Sequence, residues 1–544
     1  MTLTPERIVA DRRELRDRWY AEGFYGSQTL GQQFLDAVTT QPNASYIFAG
    51  DHDERPMSLA AVADEALRAC LGLQALGVRP GDVVAVQVPN RAELVISYYG
   101  AWLAGAVVVP ITHIYGPSEM SFILRESGAK VLVVPDRWRN IDFVDRVASL
   151  EPLTALEHVV YVSDETPPGG ISWKELLASG SDRTYADPGV HADDVCCLIY
   201  TSGTTSSPKG VQHTHNSFLT EFRGNVAFDG LEPGRDSALV IFPAGHVAGT
   251  ISVCAPSVKG LTAVLMDRWD PARAVELIER YHCASTSGTP LHYSLILEKA
   301  AEAGTDISSM RYGIVGAASV PPSLVERAGG QGMVLARCYG STEHPTVTAC
   351  DATDSVHHRS RTDGRPWAGN EFRIVDELGE DVALGVDGEL VTRGPDMFVG
   401  YHDPSLDLGA FLPGGWYRTG DIARADEAGY LTITDRLKDI IIRGGENIAS
   451  KEVEDLLMRH PAVAETAVVA RPDEKYGETV AAFVRLEPGA GLSLPDVIEH
   501  FRAAGVARQK TPESLFVVDE LPHTPSGKVQ KFALRKQLKE GGLR

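Results

Sequence analysis

The stretch YTSGTTSSPKGV, residues 200–211, gathers hydroxyl side chains, two glycines and one lysine in a single short loop. Backbone N–H groups, hydroxyl donors and an ammonium together suit a ligand rich in acceptor oxygens, and phosphate is the obvious one. The loop is not the common phosphate-binding pattern G-x-x-x-x-G-K-S/T, because five residues separate Gly203 from Lys209-Gly210. Alone, a Ser/Thr/Gly loop between a strand and a helix is an ordinary connector. The phosphate reading therefore needs other residues to agree with it.

Four further stretches do, in order along the chain: YGSTE (339–343), GWYRTGD (415–421), DRLKDIIIRGGEN (435–447) and PSGKVQK (525–531). With the opening loop they resemble the motif series of the adenylate-forming superfamily, which includes acyl-CoA synthetases, aryl-acid ligases, non-ribosomal adenylation domains and beetle luciferases. The resemblance spans nearly the whole chain. It implies activation of a carboxylic acid by joining it to AMP, which supplies the leaving group that a carboxylate lacks. A carboxylate must then approach a triphosphate, so like charges have to be neutralised first.

The same resemblance implies roles for particular residues. Thr201, Ser202, Gly203, Thr204, Thr205 and Lys209 would hold the departing phosphates. Glu343 would bind Mg²⁺, a hard cation suited to one carboxylate plus phosphate oxygens, and Thr342 would reach the α-phosphate. Tyr339 and the Gly316-Ala317-Ala318 turn would sandwich adenine, with nucleotide contacts continuing through Gly340, Ser341 and Ile433. Asp421 would accept from both ribose hydroxyls, and Arg436 would reach the ribose and phosphate side. Lys528 resembles the mobile lysine that contacts carboxylate and phosphate oxygens in adenylation, so the catalytic set is Lys528, Thr342, Glu343 and Lys209. Lys438 occupies the hinge position, about which a small domain would rotate to exchange Lys528 for a CoA tunnel at Gly444, Gly445 and Glu446. Glycines there leave room for a pantetheine arm close to the backbone. One position departs from the family pattern: Ser206 follows Thr205 where glycine is usual.

Elements must position these residues, and the chain supplies an α/β pattern. Apolar runs at 83–88, 129–134, 196–200, 238–242, 261–266 and 312–316 read as buried strands, and PARAVELIERY (271–281) reads as a helix with Pro271 in its first turn. After about Gly369 the texture turns to short strands, and from about 437 a smaller α+β unit follows. The expected organisation is a large ATP- and acid-binding domain (1–434) with a β-rich part, a hinge (435–439) and a small mobile domain (440–544). Two or more domains also follow from a length of 544 residues.

With 51 Lys+Arg against 73 Asp+Glu, the net charge of −22 disfavours nucleic acid and anionic membranes as partners. An anionic substrate must be captured by local donors. The apolar run 94–111 is broken by Gly100, Gly105 and Pro110 and reads as a helix and a strand, not as a membrane span. The charged start lacks a secretory core, which makes the cytoplasm the expected compartment. Seven scattered cysteines without a C-x-x-C pair read as reduced core residues. His357-His358 and the His213/His215 pair lack partners at ligand spacing and read as solvated or turn residues.

The acid pocket implied by the resemblance is lined by His246, Val247, Gly249, Thr289, Ala318 and Pro345, within segments that carry no lysine or arginine. A hydrophobic monocarboxylate fits such a lining. Salicylate-type ligases have asparagine after the histidine matching His246; here Val247 cannot donate to an ortho hydroxyl. The expected enzyme is an AMP-forming acyl-CoA synthetase using ATP, Mg²⁺, CoA and a fatty, alicyclic or aromatic acid. A ligase that loads the phosphopantetheine of a carrier protein, an adenylate-using oxygenase, and an acyl-adenylate binder without turnover are the alternatives. Retention of Lys209, Glu343, Asp421 and Lys528 argues against the inert one. Nothing in the sequence fixes the oligomeric state, and a homodimer is compatible with it.

Overall fold

The computed structural model describes residues 3–539 except 52, 164, 202–207, 229, 319, 444–445, 474–475, 505–507 and 524–526, and does not describe the side chains of 225–228, 438 and 446–447. The expected α/β architecture is present. One compact unit comprises Met1–Ser360, Pro366–Glu371 and Arg393–Trp416; the other comprises Arg361–Arg365, Phe372–Thr392 and Tyr417–Arg544.

In the first unit, the strands Val334–Tyr339, Tyr312–Val315, Cys283–Gly288, Ser237–Val240, Thr262–Met266 and Ser45–Ala49 lie side by side in that order, each parallel to its neighbours. Parallel neighbours need crossovers, and Pro271–Tyr281 and Pro290–Ala303 supply two of them. Pro271–Tyr281 forms because the Asp270 side chain accepts from Arg273 N at 2.9 Å, proline occupies the first turn, and Ala274, Val275, Leu277 and Ile278 bury one face. The strand Cys283–Gly288 had no signal in the sequence, since CASTSG is polar. It lies between two apolar strands, where the Thr286 hydroxyl donates to Leu239 O at 2.8 Å.

A second sheet of this unit runs Gly400–Tyr401, Lys209–Thr214, Val195–Thr201, Val107–Pro110, Val83–Val86, Val131–Pro135, His158–Val162. The apolar run 94–111 divides as expected into the helix Ala92–Leu103, buried except at Glu93, and the strand Val107–Pro110. Among the described residues no helix is long and apolar enough to cross a membrane. All seven cysteines are free, six of them buried and Cys338 half-buried. One connection differs from expectation: the loop after Thr201 joins two antiparallel strands, not a strand and a helix. PKGVQHT continues the sheet because Thr201 pairs with Lys209 and Tyr200 with Gly210 before the chain turns into the helix His215–Phe228.

In the second unit, the strands Gly388–Arg393, Trp416–Ala425 and Leu431–Arg436 pair antiparallel in succession. A separate sheet follows, ordered Glu446–Ile448, Ile441–Arg443, Gly477–Leu486, Val463–Asp473, with Ser514–Val517 parallel to Gly477–Leu486. The helices Ser450–Leu457 and Leu494–Ala503 close its apolar face through Val453, Leu457, Val497 and Phe501. The segment 435–439 lies inside this unit, held by buried charges. Ser450 donates to both Asp435 oxygens, through its backbone N and its hydroxyl, and Arg535 Nη1 donates to Asp439 Oδ1 at 2.7 Å. Lys531 Nζ reaches Ser450 Oγ at 2.7 Å and Glu454 Oε1 at 2.8 Å.

Removing one partner of such a pair strands the other charge. Lys531→Met is expected to destabilise this unit by about 3–5 kcal/mol if Glu454 stays ionised, seen as a lower urea midpoint of unfolding. A midpoint equal to wild type would mean that the pair contributes nothing net.

Candidate active site

The strand order brings distant segments to one edge. Four adjacent parallel strands end in the segments singled out in the sequence. Ser237–Val240 leads to 242–250, Cys283–Gly288 to Thr289, Tyr312–Val315 to Gly316-Ala317-Ala318, and Val334–Tyr339 to Gly340–Pro345. Parallel strands put all these continuations at their common carboxyl edge, where open α/β sheets bind ligands. Adjacent segments there touch: Gly316 N donates to Gly288 O at 3.3 Å, and a Cβ on Gly316 would sit 2.9 Å from Cys338 Sγ. Ala317 adopts φ 64°, a left-handed conformation costly for a residue with a side chain. Strain of that kind is retained where the surroundings over-determine the backbone, and here it leaves Ala317 and Ala318 exposed beside half-buried Tyr339.

The turn after Tyr339 is equally constrained. A Cβ on Gly340 would fall 1.8 Å from Pro345 O, so only glycine fits. Ser341 N donates to His344 O at 2.9 Å, and Ser341 Oγ accepts from His344 N at 3.2 Å, which closes the turn that presents Thr342 and Glu343. Glu343 is 9% exposed; its Oε1 accepts from the Tyr401 hydroxyl at 2.9 Å, and its carbonyl accepts from Phe398 N at 2.8 Å. Lys209 Nζ lies 5.0 Å from the centroid of the Tyr401 ring, within cation–π range. A lysine, an aromatic ring and a carboxylate thus stand in line. Thr201 is the cross-strand neighbour of Lys209. Ser202, Gly203, Thr204, Thr205 and Ser206, between them, lie outside the described residues.

In the second unit, Asp421 and Arg436 are cross-strand neighbours. Arg436 Nε meets Asp421 Oδ1 at 2.8 Å; the aspartate is 4% exposed on its side chain and the arginine 47%. Thr419, Gly420, Arg436 and Leu437 line a cavity of about 420 Å³. Ile433 N donates to Asp363 Oδ2 at 2.8 Å, which fixes the strand behind this pair. Lys528 is exposed next to the His523–Val529 bridge. Gly444, Gly445 and the side chains of Lys438 and Glu446 lie outside the described residues.

At the acid-pocket segments, His246 begins the helix Val247–Val253, Val247 packs on the core, and a Cβ on Gly249 would fall 2.1 Å from Pro243 O. Thr289 caps the helix Pro290–Ala303, whose His292 ring packs edge-on against Phe242 and Trp269. Burial holds His292 far below the ordinary imidazole range, at about 4, so it is neutral at pH 7. His113 is held at about 4 by burial first, then by its electrostatic interactions with Arg146 and His246.

The histidine pair 213/215 is not solvated, contrary to expectation. Both rings are buried, and His213 Nε2 donates to Thr342 O at 2.8 Å, while His215 Nδ1 accepts from Leu30 N at 3.2 Å. They turn inward because 213 is an inward position of the strand Lys209–Thr214 and 215 opens the buried face of the next helix. Burial takes both to about 4. His357, by contrast, is exposed. Reasoning from sequence also passed over Tyr401, Glu221, His344 and Asp396, which surround Thr342 and Glu343. For His213 the two-residue alternation of VQHT was a usable signal; for Tyr401 there was none.

Among the described residues no group of three or more His, Cys, Asp or Glu side chains could close round a metal ion. Glu343 alone suits Mg²⁺, which takes one or two carboxylates and completes its shell with water and substrate phosphates.

Comparison with known proteins points to one family. The family model described as AMP-binding enzyme matches residues 34–402, and that of the AMP-binding enzyme C-terminal domain matches 452–528. A medium-chain fatty-acid–CoA ligase of Escherichia coli K12 is 34% identical over 533 residues, covering 96% of this chain and 93% of the relative. A 7a-methyl-1,5-dioxo-octahydro-1H-inden-4-yl-propanoyl:CoA ligase of Mycobacterium tuberculosis H37Rv is 37% identical over 515 residues, covering 92% and 97%. The crystal structure of the anthranilate CoA ligase AuaEII with anthranoyl-AMP superposes with a TM-score of 0.85 at 26% identity, covering 95% of this chain and 98% of that one.

The neutral buried histidines set a pH dependence. His113, His213, His215 and His292 have folded pKa values near 4, below the unfolded value near 6.5, so the unfolded chain binds more protons between them. The stability they allow is whole above about pH 6.5 and falls with acidification, by up to about 1.4 kcal/mol per pH unit per histidine. The midpoint of thermal unfolding is expected to drop steadily from about pH 7 to about pH 5. A flat profile there would contradict buried neutral imidazoles.

Proposed function

Since the chain belongs to the AMP-binding enzyme family, in its acyl-CoA synthetase branch, we propose that it activates a hydrophobic monocarboxylic acid with the residues named below. ATP and CoA are its cosubstrates. In the first step a carboxylate oxygen bonds to the α-phosphorus of ATP, the bond to the β-phosphate oxygen breaks, and pyrophosphate leaves. In the second, the CoA sulfur bonds to the acyl carbon after losing its proton, and AMP departs with the oxygen that came from the acid.

Each residue has a task in the first step. Lys209, with the loop that begins at Thr201, would carry the charge of the departing phosphates, aided by Ser202, Gly203, Thr204 and Thr205. Glu343, its Oε1 already satisfied by Tyr401, would offer Oε2 to Mg²⁺. When bound, that ion neutralises phosphate charge as the carboxylate approaches. Thr342 would donate to the α-phosphate, its backbone fixed by His213. Tyr339, Gly340, Ser341 and Gly316–Ala318 would enclose adenine, and Asp421 would take the ribose hydroxyls from a geometry set by Arg436. Ile433 supports that strand. Lys528, which is exposed, would contact the reacting oxygens.

What supports the choice of acid is the composition of the residues proposed to line its pocket. His246, Val247, Gly249, Thr289, Ala318 and Pro345 include no lysine or arginine, and His292 beside them is neutral at pH 7. A second carboxylate would be buried there without a partner. The similar ligases named for medium-chain, bicyclic and aromatic acids support an apolar acyl group of this size class. After pyrophosphate leaves, rotation about Lys438 would bring Gly444, Gly445 and Glu446 to the pantetheine path in place of Lys528. The domain limits 1–434 and 440–544 follow that reading, and free cysteines with ATP and CoA as cosubstrates fit the cytoplasm.

A panel of medium-chain, alicyclic and aromatic monocarboxylates, assayed for pyrophosphate release with ATP and Mg²⁺, is expected to contain substrates, with succinate and amino acids slower by roughly a hundredfold or more. Efficient use of succinate would refute the pocket assignment. Offering CoA and then a phosphopantetheinyl carrier separates the two acceptors, and CoA is expected to be used. Lys528→Ala should slow adenylation by about 10²–10³ and leave thioester formation from supplied acyl-AMP nearly intact. Equal losses in both half-reactions would overturn the role given to Lys528.

A further inference from the structure

Behind the turn that presents Thr342 and Glu343 lies a set of buried ionisable side chains that the mechanism above does not use. Glu221 comes from the helix His215–Phe228, His344 from the turn itself, and Asp396 from the segment between Gly394 and Met397. They are 1%, 0% and 1% exposed. His344 Nε2 lies 3.1 Å from Asp396 Oδ1, and the Thr346 hydroxyl donates to Glu221 Oε1 at 2.8 Å. Asn370 Nδ2 donates to Thr346 O at 2.8 Å, and a Cβ on Gly394 would collide with both Asn370 and His344. Helix, turn and the 394–397 segment are therefore locked through polar contacts.

Glu221 and Asp396 are close enough for the charge of one to act on the other, and burial disfavours ionising both. Burial, then the charge of Asp396, push the Glu221 carboxyl up to about 8. Burial works against ionisation of Asp396 too, but the charge and hydrogen bond of His344 outweigh it and hold that carboxyl below its ordinary value. The groups facing Glu221 are Asp396 and, with a weaker opposite effect, Lys259 of the helix Ala255–Lys259. Two buried carboxyls with one proton attract; with none they repel. Filling this space with apolar side chains would cost less desolvation, so the polar network is expected to contribute specificity of geometry. What it grips is the turn: His344 and Thr346 follow Glu343 closely in sequence, while His213 and Phe398 hold the carbonyls of Thr342 and Glu343.

We propose that Glu221 and Asp396, through Thr346 and His344, position the turn Gly340–Val347 so that Thr342 and Glu343 meet the nucleotide in adenylation. The inference rests on the Mg²⁺ role proposed for Glu343. Glu221 and Asp396 are positioning residues: they touch neither substrate nor ion.

The test is ATP–pyrophosphate exchange with the fastest acid of the panel above, followed from about pH 6.5 to about pH 9.5 and paired with a calorimetric Kd for Mg·ATP and thermal melting. Wild type is expected to lose exchange about tenfold per unit above about pH 8, as Glu221 ionises against Asp396. Glu221→Gln keeps an acceptor for the Thr346 hydroxyl and cannot ionise, so its profile is expected to stay level to the alkaline end. Glu221→Leu, which removes that acceptor, is expected to weaken Mg·ATP binding and slow exchange about tenfold or more at neutral pH. Glu221→Gln with the wild-type alkaline limb, or Glu221→Leu with wild-type exchange and Mg·ATP binding, overturns the proposal. Glu343→Gln serves as the control. If it exchanges at the wild-type rate, the metal role itself fails; if it is inactive while Glu221→Gln still follows the wild-type profile, only the positioning network fails.

Discussion

Bringing a carboxylate against a triphosphate is the constraint on which the rest of this structure depends. The chain's own net charge of −22 makes the problem worse, so attraction has to come from a few local groups held in fixed positions. On the assignment proposed above, one group of these is the line from Lys209 through the Tyr401 ring to Glu343, in which the aromatic ring faces the ammonium while its hydroxyl donates to the carboxylate. Tyr401 contacts both charged groups, one through its ring face and the other through its hydroxyl. The strand pairing of Lys209–Thr214 with both Val195–Thr201 and Gly400–Tyr401 makes this line possible.

Rigidity at the carboxyl edge comes from close backbone approach. Gly340 has no room for a side chain because Pro345 O occupies it, Gly249 likewise meets Pro243 O, and Ala317 is held with positive φ. Preorganised donors work only when they do not relax as the reaction proceeds. The buried histidines belong to the same logic. His213 donates to Thr342 O from a ring whose low pKa keeps it neutral, so it orients the turn without adding a charge that would compete for the phosphates.

How much of this was legible in the sequence followed from the range of each interaction. The helix Pro271–Tyr281 and the strands Val83–Val86 and Val131–Pro135 could be read because cap, proline and apolar run are local signals. The phosphate loop and YGSTE could be found as motifs, the first between two strands of one sheet and the second at the end of a strand of the other. What could not be read were contacts set by tertiary pairing. The polar strand Cys283–Gly288 is a strand because its neighbours on both sides are, and Lys209–Thr214 joins a sheet that no local pattern announces. Glu221 and Asp396 are 175 positions apart by their numbers, and neither looks unusual in its own segment. Buried polar networks of this kind leave no periodic signature.

The most direct measurement follows oxygen atoms. The complete reaction is run with ATP, CoA and a substrate acid that carries ¹⁸O in both carboxyl oxygens, and the products are weighed by mass spectrometry. Adenylation at this site predicts one labelled oxygen in AMP, one in the thioester carbonyl and none in pyrophosphate. Label in pyrophosphate or inorganic phosphate, or AMP without label, would contradict it.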